Sequence, residues 1–332
     1  MLRTFFSFVL VFNIIVFVHE FGHYIMARRA GIRIHEFALG MGPTVFKTEK
    51  NNTVYALRAF PIGGFVKMEG EDTESDAEDS FTSKSAGKRF GVIVAGATMN
   101  LILAFVIILV INLSLGQPTL TLSEIVPGSP AQQAGMLVGD TITSIEGKSV
   151  QTWEEALVLI GEAKGELEIT VDRAGESRAF SITPVESEGR MVIGIVRGVS
   201  RNPITALTYS VKQVGFLLSM MLSFFRDLFT GSASLDGVVG PIGLVSFVGE
   251  SAKSGIVSLA MLTAYISLNL AVVNLLPIPA LDGGRLLFIL IELIRGKPVP
   301  PEKEGMVHTA GLILLLLLIV FITFKDIMRL VQ

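Results

Sequence analysis

The segment FFSFVLVFNIIVFVHEFGHYIMA, residues 5–27, decides the fold, because an apolar run of membrane-spanning length carries two histidines and a glutamate. A helix needs roughly 20 apolar residues to cross the hydrocarbon core of a bilayer. His19 and His23 are four residues apart, so on a helix their rings project from one face and can share a metal ion. Glu20 lies one position further round, where it can reach a water on that ion without binding the ion. The segment therefore predicts a metal site inside a membrane span.

The location of this His-Glu-x-x-His motif is more informative than its spacing, which also occurs as a surface cluster on soluble helices. A carboxylate at the centre of a span costs roughly 2.5–3.5 kcal/mol, so Glu20 requires a function. A cleaved signal peptide is the alternative reading of residues 5–27, because Arg3 precedes the apolar run. No small-x-small cleavage site follows, and the run continues through the histidines, which favours the span.

The composition is that of a membrane protein. Of 332 residues, 50% are hydrophobic and 17% charged, and the mean hydropathy is +0.61; lipid-facing helices produce this bias. A net charge of −3, without a basic stripe, argues against nucleic-acid binding. There are no cysteines, which excludes disulfides, thiolate metal sites and cysteine nucleophiles. A tightly bound transition metal must therefore use His, Asp or Glu.

Three further apolar stretches follow, at about 90–113, 256–294 and 310–324. The second of these is too long for one straight crossing and contains prolines. The sequence thus predicts an α-helical polytopic membrane protein with about four transmembrane helices.

Basic residues predict the orientation of these spans. They cluster in the loops after the first span and before the fourth: Arg28, Arg29, Arg33, Lys84, Lys88, Arg89, Arg295, Lys297 and Lys303. By the positive-inside rule these two loops are cytoplasmic, so the termini and residues 114–254 face outward. Lys325 and Arg329 argue mildly the other way.

A second unusual stretch in the apolar sequence is NLLPIPALDGGR, residues 274–285. Its prolines break a helix, and irregular backbone at membrane depth is tolerated only when it is buried in protein or lines a wet cavity. Asp282 is therefore the predicted third ligand of a His2Asp site with water in the fourth position. The alternative is a loop aspartate paired with Arg285 at the interface. Asn274 and the broken backbone around Pro277 are predicted to bind an unwound substrate.

A metal held in this way suits hydrolysis. Bound Zn2+ lowers the pKa of its water from about 16 to about 7, and Glu20 is the predicted general base. His23 and His19 lie five and nine residues before Arg28, roughly 7–14 Å inside the cytoplasmic boundary at 1.5 Å per residue. Hydrolysis there needs a water path from the cytoplasm. Residues 53–68 (TVYALRAFPIGGFVKM) predict a membrane-associated β-hairpin that walls this path or presents an edge to substrate.

Residues 117–198 have the character of a small α/β domain inserted between the membrane parts 1–116 and 255–332. Short β-type runs alternate with turns, a helix is predicted over Trp153–Ala163, and PGSPAQQAG (127–135) resembles the turn of a circularly permuted bacterial PDZ domain. Such folds bind an extended peptide by strand addition; peptide binding and a role as a size filter both remain open. Residues 199–254 are predicted to be an amphipathic linker that includes a surface-lying helix.

The two motifs in this order, with a PDZ-like domain between them, resemble the site-2 protease family of intramembrane zinc metalloproteases, of the bacterial RseP-like type. The resemblance covers nearly the whole chain. It implies one zinc ion per chain, bound by His19, His23 and Asp282, with Glu20 as the base. It also implies a bacterial cytoplasmic membrane protein, with the active site toward the cytoplasm and the PDZ-like domain outside. The implied substrates are single-span membrane proteins, such as trimmed anti-sigma factors, or signal-peptide remnants.

A shorter element in the second span, Gly96-Ala97-Thr98-Met99-Asn100, resembles the Gly-x-x-x-Asn element of the family and implies that Asn100 helps hold substrate. Ala97 stands where many relatives have proline, and there is one PDZ-like domain where some have two. Two rival functions remain: a catalytically idle membrane scaffold that recruits partners, and a metal transporter. A transporter would need polar groups spread along its spans, whereas here they converge at one depth.

Overall fold

A computed structural model describes residues 2–71, 75–187, 189–232, 239–297 and 299–331. The chain divides into two compact units, which are described separately below. The first combines Met1–Ile107 with Ser223–Gln332, and the second is Ile108–Leu222.

Four helices among the described residues are long and apolar enough to cross a membrane: Leu2–Ala30, Ala86–Leu115, Ile256–Leu275 and Glu302–Met328. They correspond to α1 (Leu2–Ala30), α2 (Ala86–Leu115), α7 (Ile256–Leu275) and α9 (Pro301–Val331). The number agrees with the sequence prediction. α1, α2 and α9 are longer than the apolar stretches that predicted them, because their ends continue through polar residues.

The long third stretch is broken where the prolines predict. α7 ends at Leu275, residues 276–281 are not helical, and α8 runs over Asp282–Arg295. Pro277 and Pro279 both lie in the break, since proline lacks the backbone N–H that would continue a helix. Asp282 is consequently the first residue of a new helix.

The hairpin of the first unit is larger than predicted. β1 (Ile34–Lys50) pairs antiparallel with β2 (Thr53–Met68) across a turn at Asn51-Asn52, both of which have positive φ, 52° and 60°. The expectation of a hairpin closed within residues 53–68 is wrong. Phe37 of β1 pairs with both Tyr55 and Val66, so the two halves of β2 pair with β1 and not with each other. The sequence pattern identified β2 but did not identify its partner.

This hairpin contacts α1 within the first predicted span, at Asn13. The Asn13 side chain of α1 donates to the carbonyl of Pro61 at 2.7 Å. Asn13 precedes His19 by six residues, about 9 Å along a helix. Exposed apolar side chains lie along the hairpin at residues 41–46 and 60–62, as suits contact with lipid: Met41, Val45, Phe46, Phe60 and Ile62. The membrane association predicted for the hairpin agrees with this geometry.

The second unit contains the PDZ-like domain. Its strands are β3 (Gln117–Ile125), β4 (Thr141–Ile145), β5 (Lys148–Ser149), β6 (Leu167–Arg173), β7 (Glu176–Ile182), β8 (Val185–Ser187), β9 (Arg190–Val192) and β10 (Ile195–Ser200), and its helices are α3 (Pro130–Gln133) and α4 (Trp153–Gly161). The main sheet has the order β10-β3-β4-β6-β7, with β5 paired to β4. Thr152 and Glu155 form a capping box at α4. Arg173 hydrogen-bonds the buried Asp140 and holds the pKa of that carboxyl below its usual value.

The predicted linker contains two helices, α5 (Pro203–Phe229) and α6 (Pro241–Ser254); residues 233–238 between them lie outside the described residues. α5 is tied to the PDZ-like domain by Tyr209, which donates to Glu154, and by Gln213, whose amide donates to the same carboxylate at 3.1 Å. In the first unit, Asp326 of α9 accepts from the backbone N–H groups of Gly240 and Gly243 at 3.2 and 3.0 Å. A buried carboxylate thus caps α6, which lacks a capping side chain of its own.

Candidate metal centre

Two imidazole rings on one face of α1 begin the site. His19 and His23 are 8% and 7% exposed, and their Nε2 atoms lie 3.2 Å apart. The i, i+4 spacing places the rings one above the other, as the sequence predicts.

Asp282 places a third potential ligand atom at the same point. Its Oδ2 lies 3.3 Å from His19 Nε2 and 3.4 Å from His23 Nε2. That oxygen is buried and has no hydrogen-bond donor among the described residues. Arg285, the alternative partner of Asp282, pairs instead with Glu71.

The spacing of these three atoms fits zinc. Nitrogen and oxygen ligands about 2.0–2.1 Å from a tetrahedral zinc ion lie about 3.3–3.4 Å from one another. The observed separations are 3.2, 3.3 and 3.4 Å. Among the described residues, this is the group of His, Asp and Glu side chains whose ligand atoms converge closely enough for one ion.

The backbone of α2 supports His23. The Nδ1 atom of His23 lies 2.9 Å from the carbonyl oxygen of Val92. A proton on Nδ1 donates to that carbonyl and leaves the lone pair on Nε2 for a metal, which is the usual way in which an outer partner fixes the tautomer of a ligand histidine.

Gly96 allows α2 to approach the two histidines. A Cβ atom at this position would lie 2.4 Å from His23 Nε2 and 2.7 Å from His19 Cε1. These distances are far below van der Waals contact. A residue with any side chain at position 96 would therefore displace both rings.

We expect Gly96→Ala to weaken zinc binding by at least about 100-fold, the upper end of the loss seen when a group supporting a metal ligand is removed. Gly91→Ala on the same helix is the matched control, because its added methyl would meet Met26 Cε at an ordinary 3.6 Å. Both changes favour the helix by about 1 kcal/mol, so propensity does not separate them. Chelator competition on the two purified variants measures the difference, and equal zinc affinities would contradict the prediction.

The loop that carries Asp282 is held from two sides. A Cβ at Gly283 would lie 1.9 Å from the carbonyl oxygen of Leu276, so the loop folds back onto the first turn of α8 at a distance only glycine permits. Ala280 has a left-handed backbone with φ 75°, and its N–H donates to His308 Nδ1 of α9 at 3.0 Å. Non-glycine residues in this region store strain that the surrounding structure must hold. α9 thus positions the segment that ends at Asp282.

A cavity of about 780 Å3 opens onto the three ligand atoms. Glu20 lines it, as does Val66 of β2. Many of the other lining groups are charged or polar: Glu36, Arg58, Lys67, Glu71, Arg285 and His308. A cavity lined in this way admits water, as hydrolysis at membrane depth requires.

The remaining predicted site residues occupy different places. The Asn274 amide nitrogen is 3.4 Å from His19 Nε2, so this side chain borders the point where the ligand atoms meet. The Asn100 amide nitrogen is 3.4 Å from the other ring nitrogen of His19, Nδ1, and Asn100 is fully buried. Pro277 is exposed in the break after α7 and does not line the cavity.

Sequence reasoning missed Val92, the steric role of Gly96, and His308. The Val92 backbone carbonyl leaves no signal in the side-chain pattern. The short distance from Gly96 to the two histidine rings depends on how α1 and α2 pack together, which local sequence does not reveal. His308 was detectable, because an ionisable residue within a span is a functional candidate. The apolar run itself begins only at about residue 310, whereas α9 begins at Pro301 and so includes His308.

A His2Asp cluster beside a glutamate, in a polar cavity next to a helix long and apolar enough to cross a membrane, is the arrangement expected of a membrane-embedded metallohydrolase. The family model described as Peptidase family M50 matches residues 7–318. The regulator of sigma-W protease RasP of Bacillus subtilis is 33% identical, over 99% of each chain. The zinc metalloprotease RasP of Oceanobacillus iheyensis is 32% identical, over 99% of this chain and all of the relative. The chain belongs to peptidase family M50, and it is an intramembrane zinc metalloprotease of the site-2 protease type.

Among solved structures, the PDZ domain of the SdrC-like protein of Listeria innocua matches with a TM-score of 0.23 and 24% identity, covering 25% of this chain and 96% of that domain.

Proposed function

We propose that this protein uses one zinc ion per chain, bound by His19, His23 and Asp282, to hydrolyse peptide bonds within the transmembrane segments of single-span membrane proteins. The observation that carries the proposal is the set of separations of 3.2–3.4 Å between three ligand atoms in a polar cavity that Glu20 also lines. The spacing suits tetrahedral zinc, and the placement on a spanning helix suits a substrate inside the bilayer.

Glu20 is the proposed general base and acid. A zinc ion held by His19, His23 and Asp282 would lower the pKa of a bound water to near neutral, and the ion itself would polarise the scissile carbonyl. Glu20 takes a proton from the attacking water and returns it to the leaving amine.

Asn274 and β2 are the proposed substrate contacts. The amide nitrogen of Asn274 lies 3.4 Å from His19 Nε2, next to the proposed zinc position, and can donate to the carbonyl of an unwound substrate. Residues 65–68 of β2 line the cavity onto which the three proposed ligand atoms open, where their strand offers backbone groups to an extended peptide. Pro277 keeps the neighbouring backbone open by ending α7.

The proposed setting is the bacterial cytoplasmic membrane, with the metal site toward the cytoplasm and the PDZ-like domain outside. The basic loops support this orientation. Proposed substrates are anti-sigma factors already trimmed outside, or signal-peptide remnants, and the name of the Bacillus subtilis relative supports the first. In the PDZ-like domain, β10 is an edge strand with exposed Val196 and Val199, a surface suited to strand addition by a peptide.

The test is cleavage of a tagged single-span substrate by the purified full chain in proteoliposomes. We expect fragments whose new termini map inside the substrate span, arrest of cleavage by a zinc chelator, and recovery on adding zinc. Termini outside the span, or cleavage that persists in excess chelator, would contradict the proposal.

The same preparation separates the rival functions. A scaffold would bind the substrate without producing fragments. A transporter would move zinc into the vesicles at a rate that depends on the zinc gradient, again without fragments. The convergence of the polar groups at one depth favours hydrolysis over transport, and the presence of Glu20 beside the three proposed ligands favours hydrolysis over a scaffold.

A further inference from the structure

We propose that Asn100 is a positioning residue for the metal centre: its side-chain carbonyl accepts a hydrogen bond from Nδ1–H of His19 and thereby holds the His19 Nε2 lone pair toward the zinc ion. The inference rests on the proposed function, because it assumes that His19 is a ligand. It gives His19 the kind of outer partner that Val92 provides for His23.

The geometry around Asn100 supports this role. Asn100 lies on α2, is 0% exposed, and places its amide nitrogen 3.4 Å from His19 Nδ1. Its own backbone is fixed by Ser267 of α7, whose hydroxyl donates to the Asn100 carbonyl at 2.9 Å. The residue is therefore locked between two helices directly behind the ring.

The available hydrogen-bond partners determine whether Oδ1 or Nδ2 of Asn100 faces the His19 ring. The Asn100 Oδ1 atom is buried and has no partner among the described residues. When Nε2 of a neutral imidazole binds a metal, Nδ1 carries the proton and must donate it. A half-turn of the amide exchanges Oδ1 and Nδ2 without changing its shape. That exchange pairs the unsatisfied oxygen with the Nδ1–H donor.

Burial separates this role from substrate binding. Asn100 is fully buried beside Nδ1 of His19, whereas Asn274 lies 3.4 Å from Nε2, the ring nitrogen that faces Asp282. A residue with no exposed surface does not contact a substrate directly, so Asn100 acts through His19, the proposed ligand that it contacts. The expectation that Asn100 holds substrate is therefore less favoured by the geometry than a role in zinc affinity.

The experiment measures zinc affinity by chelator competition on the purified full chain, without reference to cleavage. We expect Asn100→Leu, which removes the acceptor, to weaken zinc binding by about 10–100-fold. Asn100→Asp keeps an acceptor of the same shape and is expected to bind zinc at least as tightly as the wild type. Asn112→Leu is the matched control, because it removes another buried asparagine of α2, one hydrogen-bonded to Ser210 and Gln213; its zinc affinity is expected to be unchanged.

Two results would overturn the inference: an Asn100→Leu protein with wild-type zinc affinity, or an Asn100→Asp protein that binds zinc as weakly as Asn100→Leu. If the leucine variant does not fold, Asn100→Ala replaces it under the same two criteria. His19→Ala in the same assay tests the proposed function separately. If His19→Ala binds zinc like the wild type, the metal site itself is misassigned; if it loses zinc while Asn100→Leu keeps it, only the role of Asn100 fails.

Discussion

Replacement of Glu20 by glutamine is expected to lower the cleavage rate by about 10²–10⁴-fold while leaving zinc bound. Glutamine has nearly the shape of glutamate but cannot take up a proton, and positioned proton transfer contributes rate factors of this size. Zinc should remain because the ligand atoms come from His19, His23 and Asp282, whose mutual separations do not involve Glu20. Single-turnover cleavage of a tagged single-span substrate, with zinc content measured on the same sample, gives both quantities.

Glu292→Gln is the matched control for this change. Glu292 lies on α8 and forms an ion pair with Arg89 at 2.5 Å, but it does not line the cavity. The same chemical replacement there is expected to change the rate of the folded enzyme by less than about threefold, because Glu292 lies outside the cavity lining. Its ion pair with Arg89 is largely buried, so its loss is expected to lower stability, by up to about 3–5 kcal/mol. A Glu20→Gln protein as active as Glu292→Gln would show that another group is the base.

Replacement of Asp282 by alanine is expected to abolish zinc retention and cleavage together. Two imidazoles from one helix then remain, and a catalytic zinc site ordinarily has three protein ligands. Without the metal, the attacking water keeps a pKa near 16 and no carbonyl is polarised. Metal analysis after gel filtration and the cleavage assay should both fall to background.

Asp326→Ala removes a second buried carboxylate from the membrane part and serves as its control. Asp326 caps α6 through Gly240 and Gly243, so its loss is expected to cost about 1 kcal/mol of unfolding free energy. Its zinc content should be unchanged. If Asp282→Ala retained zinc as Asp326→Ala does, Asp282 would not be the third ligand.

Several features of the fold and the site were predictable from local pattern. His19 and His23 share a face because a helix repeats every 3.6 residues. The break before Asp282 follows from Pro277 and Pro279, which cannot donate the hydrogen bonds of a continuing helix. The spans follow from the lengths of the apolar runs. In each case the physical cause lies within a few residues of its effect.

Pairing across the chain was less predictable. Residues 53–68 read as a self-contained hairpin because β propensity and a Pro-Ile-Gly-Gly turn are local signals. Their partner, β1, includes three glycine or proline residues, Gly40, Gly42 and Pro43, which weaken its strand pattern. Register depends on contacts between strands, and a single strand does not contain that information.

By itself, the sequence determined that a metal-binding pair lies within a span and that a carboxylate follows a helix break in another apolar stretch. Only the tertiary structure brought Asp282 to 3.3 and 3.4 Å from the two imidazoles, although more than 250 residues separate it from them along the chain. It also showed that a side chain at Gly96 would clash with both rings. His308 accepts a hydrogen bond from Ala280, and Asn100 contacts His19 at Nδ1. The reason is physical: helix periodicity and proline chemistry act along the backbone, whereas ligand geometry and close packing depend on which helices meet.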